Sequence, residues 1–344
     1  MSRPGLRFFL PFVISAVLLL LVVRSVSGEW NDLLAALASA DWRLLVPAVG
    51  LYFCGAWLRS MRWGLLLPGQ NLRTSMLFRA LVIGFTVNNL LPLRMGEVAR
   101  AYLLARWQSV PYGATVASLF VERVLDGLTL ALLLLVAVLL VPSAPSYLLV
   151  AGAIAAGGFC AGAIVLGIAG WRADLILRLT IRLSNVLPGR LGQIAVRLAD
   201  AFLSALAQVR GHARLGKAVI LSLLAWCFEL SVFFVLMAAF GVGGSPPLAY
   251  LVGSAANFAT LVPSSPGYVG TFDGALIGVL RDTTGLAAGP ATAYALVVHA
   301  TLFLPVVIVG TLLLWRSHMS FDQITHAPER AAAARSSSDW QPAA

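Results

Sequence analysis

Long apolar stretches alternate along this chain with short polar or arginine-rich connections. Because a helix needs about 20 apolar residues to cross a hydrocarbon core of about 30 Å, each such stretch predicts a transmembrane helix. Six stretches qualify: residues 6–23, 44–67, 114–141, 147–170, 218–240 and 291–315. Two further runs, residues 77–93 and 248–262, are shorter or more polar, and each leads into a segment containing Pro and Gly. The pattern predicts an all-α polytopic membrane protein with about six transmembrane helices and two re-entrant half-helices.

Composition agrees with this class of protein. Hydrophobic residues make up 60% of the 344 positions and charged residues 11%, and the mean hydropathy is +0.90. A soluble domain of this size does not sustain such values. The net charge of +10 is concentrated in a few connections between apolar stretches, which the positive-inside rule explains without a nucleic-acid partner.

Cysteine and histidine residues indicate no cofactor. Each cysteine lies inside an apolar stretch, where it acts as a small buried residue. The histidines are scattered, without metal-binding spacing. These residues are Cys54, Cys160, Cys227, His212, His299, His318 and His326. We expect no metal site and no cofactor.

The distribution of arginine predicts which connections face the cytoplasm. The connections 24–43, 142–146 and 241–247 carry little positive charge and should lie outside. The arginine-rich segments, expected inside, are the N-terminus (Arg3, Arg7), the connection after the second span (Arg59, Arg62, Arg73, Arg79), residues 172–217 and the tail from residue 316. We predict a multi-pass protein of the cytoplasmic (inner) membrane with both termini in the cytoplasm.

The first apolar stretch has the charge pattern of a signal peptide, but we expect it to remain as an uncleaved helix. The two half-helices should enter the membrane from opposite sides, which is the inverted arrangement used for alternating access.

We expect one transmembrane domain over residues 1–320 and a disordered cytoplasmic tail at 321–344, which is rich in Ala, Ser and Pro. Inside the domain, residues 171–217 place arginines among Leu, Ile and Val at helical spacing, with a break at Pro188-Gly189. This pattern predicts two amphipathic helices on the inner leaflet, with anionic lipid head groups as partners. A solvated cytoplasmic linker is the alternative.

The two broken segments, residues 88–100 and 257–273, are the first candidate site. Unwound backbone is tolerated at membrane depth only where it lines a cavity, and such breaks mark binding sites in transporters. The candidate substrate-binding residues in these segments are Asn88, Asn89, Pro92, Arg94, Gly96, Glu97, Arg100, Pro263, Gly267, Gly270 and Asp273.

Each broken segment allows two interpretations. Arg94 and Arg100 could hold a lipid phosphate between them, or they could bracket Glu97 in a surface ion-pair ladder. The amides Asn88 and Asn89 could bind a ligand, or they could cap helix ends. The second segment could offer backbone N–H groups to an anion at a helix N-terminus, or it could be a simple turn.

Charged residues inside the spans are the second candidate site, since a charge in a span is costly and usually functional. Glu122, Arg123 and Asp126 begin an apolar helix, and Arg123 can pair with Asp126. One interpretation is that they bind a polar head group or stabilise a cavity. The other is that they form an interfacial cluster that anchors the helix end, with Arg123 snorkelling to the cytoplasmic head groups. Glu229, near the middle of its span, either pairs with a basic group such as Arg94 or exchanges protons as it faces each side in turn.

These motifs together resemble the membrane region of lysylphosphatidylglycerol synthases and the related stand-alone flippase-like proteins. The resemblance covers roughly residues 44–315. The residues that carry it are Asn89-Leu90-Leu91-Pro92 with Gly96-Glu97, then Glu122-Arg123 and Asp126, then residues 263–270 with Asp273. It implies translocation of a lipid between leaflets: aminoacylated phosphatidylglycerol in the fused synthases, and other lipids or polyprenyl-linked carriers in relatives. Because this chain ends soon after its last predicted span, we expect it to lack the aminoacyl-transfer domain and not to be an enzyme.

The sequence therefore favours a translocator of an amphiphilic lipid, with no catalytic residue. Its head group should lie among Arg94, Arg100, Glu122, Arg123 and Glu229. One alternative is a membrane enzyme that transfers a sugar or phosphate on a lipid carrier, with Glu122 or Asp126 as base. Another is an accessory scaffold that docks a lipid-modifying enzyme on the basic connection 171–217.

Overall fold

The structure, a computed structural model, describes residues 6–67, 72–91, 95–108, 110–184, 212–262 and 264–317, with the isolated positions 192, 196, 200 and 203. Pro92, Arg94, Pro263, most of the connection 185–211 and the tail 321–344 lie outside the described residues. All regular elements in the described ranges are helical, which agrees with the predicted fold class.

The described ranges contain twelve α-helices. They are α1 (Leu6–Val26), α2 (Trp30–Ser39), α3 (Leu45–Leu66), α4 (Thr74–Leu90), α5 (Met95–Gln108), α6 (Tyr112–Leu140), α7 (Ser146–Trp171), α8 (Ala173–Ser184), α9 (His212–Ala239), α10 (Pro246–Ala259), α11 (Thr271–Thr284) and α12 (Ala288–Arg316). Two short 3-10 turns, Trp42–Leu44 and Pro266–Tyr268, precede α3 and α11.

Five helices in the described ranges are long and apolar enough to cross a membrane. They are Trp42–Leu66, Tyr112–Leu140, Ser146–Trp171, Arg214–Ala239 and Ala288–Arg316. Each matches a predicted span. The remaining prediction, residues 6–23, forms α1, which is helical over 21 residues but is not among these five.

The two shorter apolar runs each form the first limb of a helical hairpin. The run 77–93 lies mostly in α4, which turns back as α5, and the run 248–262 lies mostly in α10, which is followed by α11. At the first hairpin the two backbones touch: a Cβ added to Gly96 would overlap the carbonyl oxygen of Gly84. Glycine at this position therefore sets the separation of α4 and α5.

The order of elements occurs twice along the chain. A span, a hairpin and a long span follow one another as α3, α4–α5 and α6, and again as α9, α10–α11 and α12. Both long spans have 29 residues. The first limb of each hairpin packs on the long span of the other unit, α4 on α12 and α10 on α6. The chain therefore contains two similar units that interlock.

The two units run in opposite directions where α3 packs along α9. The N–H of Asp41, before α3, donates to the carbonyl of Ala239 at the end of α9, at 2.9 Å. At the other end, Arg62 donates to Ser222 at 2.7 Å. Residue numbers rise along α3 as they fall along α9, so these two spans are antiparallel.

Helix α8 follows α7 directly and forms the start of the predicted amphipathic connection. It has no buried residue, and three leucines, Leu175, Leu179 and Leu183, are exposed. Arg178 and Arg182 lie between them in sequence. Its contact with the inner leaflet stays a prediction.

Candidate functional site

A cavity of about 330 Å³ lies where the two broken segments meet. The turn Pro266–Tyr268 contacts α4, and both segments contribute to the wall, through Asn88, Asn89, Gly267 and Tyr268. The charged and titratable residues of the lining are Arg59, Glu97, Arg123, Asp126, Glu229 and His299. The aromatic residues are Tyr52, Phe85, Phe159, Trp226, Phe258, Tyr268, Phe272 and Phe303. The cavity thus offers both polar and apolar surfaces to one ligand.

Glu122 is the buried centre of a charge cluster behind this cavity. Arg100 donates to both of its oxygens, at 2.7 and 3.0 Å. Arg123 donates at 3.0 Å, and a nitrogen of Arg62 lies 3.6 Å away. A carboxylate with this many cationic donors is fixed in position, so Glu122 supports the cavity rather than lining it.

Asp126 forms the second half of the same cluster and reaches the cavity wall. Arg62 donates to both of its oxygens, the indole N–H of Trp226 donates at 3.0 Å, and Arg123 lies 3.3 Å away. The predicted pair of Arg123 with Asp126 is therefore present. Arg123, about one-third exposed, also lies 3.9 Å from Glu97, so that it stands among three carboxylates at the cavity instead of snorkelling away from them.

Glu229 pairs with Arg59, at 2.7 Å. The sequence suggested Arg94 as one partner, but Arg94 lies outside the described residues and Arg59 occupies the site. The guanidinium of Arg59 also lies 4.3 Å from the centre of the Trp226 ring, a geometry that favours cation–π attraction. A structural ion pair thus accounts for Glu229.

The assignment of Arg59 and Arg62 to a cytoplasmic connection was wrong. Both lie inside α3, with side chains 8% and 0% exposed. The positive-inside rule counts arginines near the end of a span and does not distinguish a solvated one from a buried one. Their spacing of three residues, within an otherwise apolar helix, was the signal for a shared inward face.

Arg100 is not available for the phosphate clamp that the sequence suggested between Arg94 and Arg100. Its side chain is 2% exposed, binds Glu122, and stacks 4.0 Å from the centre of the Trp63 ring. Arg100 does not take part in the alternative ladder either, because Glu97 contacts Arg123 instead, and the part of the ladder with Arg94 lies outside the described residues. Arg100 is a structural cation behind the cavity wall.

At the first break, helix capping explains one of the two amides. The side-chain oxygen of Asn88 accepts the N–H of Gly96, at 2.7 Å, and so satisfies a donor at the start of α5. Asn88 and Asn89 both line the cavity. Asn89 stays a candidate for contact with a ligand.

The second break is a strained turn whose backbone donors are engaged within the protein. Gly267, Tyr268 and Gly270 have φ angles of +73°, +59° and +86°, and a positive φ is unusual for a tyrosine. The N–H of Gly270 donates to Asp273 at 3.0 Å, and the N–H of Ser265 donates to Ser15 of α1 at 2.8 Å. These two N–H groups are therefore not available to an anion, which favours the turn over the anion site at these positions.

Asp273 has a second partner that the sequence did not suggest. Nδ1 of His299, on α12, lies 2.7 Å from its other carboxylate oxygen. When the carboxylate is ionised it only accepts hydrogen bonds, and the ring nitrogen that faces it then carries the proton. A lone histidine in an apolar span offers little signal, because its partner lies 26 residues away.

The described part of the chain contains no group of three or more residues that could hold a metal ion.

The fold and the cavity define a polytopic helical membrane protein with an amphipathic internal site framed by two broken hairpins. Residues 8–310 match the family described as the lysylphosphatidylglycerol synthase TM region. The chain belongs to that family.

The chain is also similar to two named relatives. It is 27% identical over 303 residues to glycosyltransferase AglD of Haloferax volcanii, covering 78% of this chain and 48% of the relative. It is 26% identical over 299 residues to a UPF0104 membrane protein of Methanothermobacter thermautotrophicus, covering 82% of this chain and 86% of the relative. The chain thus spans about half of the glycosyltransferase and most of the second relative.

Proposed function

We propose that this protein moves an amphiphilic lipid between the leaflets of the membrane, with the head group in the cavity and the chains in the bilayer. The lipid would be a phospholipid, an aminoacylated lipid or a polyprenyl-linked carrier. The observation that carries the proposal is the meeting of two broken hairpins, from two oppositely directed units, at one cavity with charged and aromatic walls. Inverted units with a site at their interface are typical of alternating access.

Four arginines and four carboxylates make up the charge cluster at the cavity: Arg59, Arg62, Arg100 and Arg123 with Glu97, Glu122, Asp126 and Glu229. Each arginine lies within 4.0 Å of at least one of these carboxylates. Such a network keeps polar groups paired at membrane depth and still offers hydrogen bonds to a head group. We propose Arg123 as the contact to the lipid, because it is the most exposed of these arginines.

We expect Arg123→Gln to slow lipid exchange at least tenfold, a loss of about 1.4 kcal/mol in transition-state stabilisation. The fold should persist, because Glu122 keeps Arg100 and Asp126 keeps Arg62. The measurement is leaflet exchange of labelled anionic, aminoacylated and polyprenyl-phosphate lipids in liposomes that contain purified protein. The matched control is Arg106→Gln, an exposed arginine of α5, which should exchange lipid like the wild type.

The proposal is supported if the wild type exchanges one lipid class and Arg123→Gln exchanges it more slowly. No exchange of any lipid by the wild type, with or without a proton gradient, contradicts it. Equal exchange by wild type and Arg123→Gln contradicts the role of Arg123.

The second candidate is a membrane enzyme or an accessory protein in the modification of lipids or lipid-linked glycans. It is favoured by the similarity to a relative named as a glycosyltransferase. The test is transfer of sugar from nucleotide sugars to a polyprenyl-phosphate acceptor by the purified protein. Turnover that Asp126→Asn abolishes would support an enzyme, and turnover only after a separate glycosyltransferase is added would support an accessory role.

We further propose that both termini face the cytoplasm of a cell with an inner membrane. The five long spans put the ends of the chain on opposite sides, so this topology requires α1 to cross as well. A phosphatase reporter that is active only outside the cytoplasm should be inactive after residue 317 and active in the loop 142–145. Activity after residue 317 would contradict the topology and indicate that α1 does not cross.

A further inference from the structure

The histidine in the cavity wall is not explained by the ion-pair cluster. His299 is on α12 and its partner Asp273 is on α11, with side chains 17% and 8% exposed. The ring of His299 lies edge-on between Phe272 and Phe303, at centroid distances of 5.3 and 6.0 Å. Two aromatic rings and one carboxylate thus fix the orientation of the imidazole. Asp273 occupies Nδ1, so Nε2 is the ring nitrogen left for a ligand.

The charge of His299 matters because the other charged groups of the cluster are paired. The four arginines of the cluster are matched by its four carboxylates. Asp273, the hydrogen-bond partner of His299, adds one negative charge beside the cavity, and protonation of His299 cancels it. Histidine is the side chain that ordinarily changes charge near neutral pH. Protonation of His299 adds one positive charge to the cavity wall, so an anionic head group should bind better when His299 is protonated than when it is neutral.

We propose that Nε2 of His299 is a proton-binding site of the cavity, which is loaded together with an anionic lipid head group. With Nδ1 held by Asp273, the protonated ring presents an N–H at Nε2, and this N–H donates to a phosphate oxygen. The neutral ring has no donor at Nε2. The proton and the anion thus stabilise each other in the cavity. This inference rests on the proposed translocation of lipid.

The second break connects His299 to the hairpin of α10 and α11, which would change position in the proposed mechanism. One oxygen of Asp273 accepts from His299 and the other accepts from the N–H of Gly270, at 3.0 Å. Gly270 and Tyr268 both have positive φ angles. The charge on His299 therefore acts on Asp273, whose side chain accepts the N–H of Gly270, the N-cap residue of α11. A change in protonation can shift the balance between two hairpin positions.

Other titratable groups near the cavity are less suited to this role. Glu229 pairs with Arg59 on α3, Asp126 pairs with Arg62, and Glu97 of α5 faces Arg123. Tyr52 and Tyr268 line the cavity, but a phenol ordinarily titrates far above neutral pH. The lining residues of α4 are Phe85, Asn88 and Asn89, which do not titrate.

The test uses the full chain in liposomes with phosphatidylglycerol that carries a fluorescent acyl chain. In the wild type, the exchange rate should fall by up to about tenfold per pH unit on the alkaline side of the transition. A proton gradient should accelerate exchange in the direction of proton flow. His299→Gln should lose both responses and keep its melting temperature. His212→Gln, which changes the first residue of α9, is the matched control and should respond like the wild type.

A second measurement separates this inference from the proposed function. Purified protein in detergent is mixed with phosphatidylglycerol, and proton uptake is followed with a pH-sensitive dye. Uptake by the wild type but not by His299→Gln supports the proton site, even if liposomes show no exchange. Exchange by the wild type that is independent of pH, or a His299→Gln profile equal to the wild type, overturns the inference and leaves the translocation proposal standing.

Discussion

Arg62→Met should destabilise the protein by about 3–5 kcal/mol, because it removes the cation that donates to both oxygens of the buried Asp126. The side chain of Arg62 is fully buried and contacts Asp126, Glu122 and Ser222. Methionine fills similar space without charge. The measurement is the free energy of unfolding, or the melting temperature, of purified protein in detergent.

Two controls give the Arg62 experiment its meaning. Arg106→Met removes an exposed arginine and should change stability by no more than about 0.5 kcal/mol. Replacing both partners, with Arg62→Met and Asp126→Leu together, should recover part of the loss, since a buried ion pair exchanged for apolar groups is often nearly neutral. If Arg62→Met were as stable as Arg106→Met, the buried network of the structure would be wrong.

Gly96→Ala should separate the two limbs of the first hairpin. The new Cβ would overlap the carbonyl oxygen of Gly84 and lie 2.7 Å from Cγ of Asn88. Neither contact can be relieved by rotating a long side chain, so α5 must shift. We expect a loss of at least about 1–3 kcal/mol in stability, together with slower lipid exchange. Melting temperature and liposome exchange would be measured on the same preparation.

The matched control for Gly96 is Gly157→Ala on α7. A Cβ at Gly157 meets nothing within 4 Å, and alanine favours a helix over glycine by about 1 kcal/mol. This variant should be as stable as the wild type or slightly more stable. Equal melting temperatures for Gly96→Ala and Gly157→Ala would show that the limbs do not touch as described.

Much of the fold could be predicted from the spacing of apolar residues alone. The length of each apolar stretch determines whether a helix can cross, so five of the six predicted spans have counterparts of the required length. The breaks near residues 92 and 263 were also visible, because Pro and Gly interrupt apolar runs. A helix was expected after each break, but its return along the first limb was not, since α5 carries mixed polar and apolar residues and resembles an ordinary connection.

The candidate site could be predicted in part. Asn88, Asn89, Glu97, Arg123, Asp126, Glu229 and Gly267 line one cavity, and their contact with a substrate stays a prediction. The partners of the charges could not be assigned, since Arg59 is 170 residues from Glu229 and Arg62 is 64 residues from Asp126. A single sequence contains no record of such distant pairs. His299 was missed for the same reason.

In the described part of the chain one candidate span, α7, lies between the two units and sets their relative direction. Each unit contains two spans, so without α7 the second unit would enter the membrane in the same direction as the first, and α3 and α9 could not pack antiparallel. The presence of one connecting span therefore decides whether the two similar units run in opposite directions or in the same direction. The direction that α7 gives to the second unit is a contribution to the cavity separate from that of its side chain Phe159, which lines the wall.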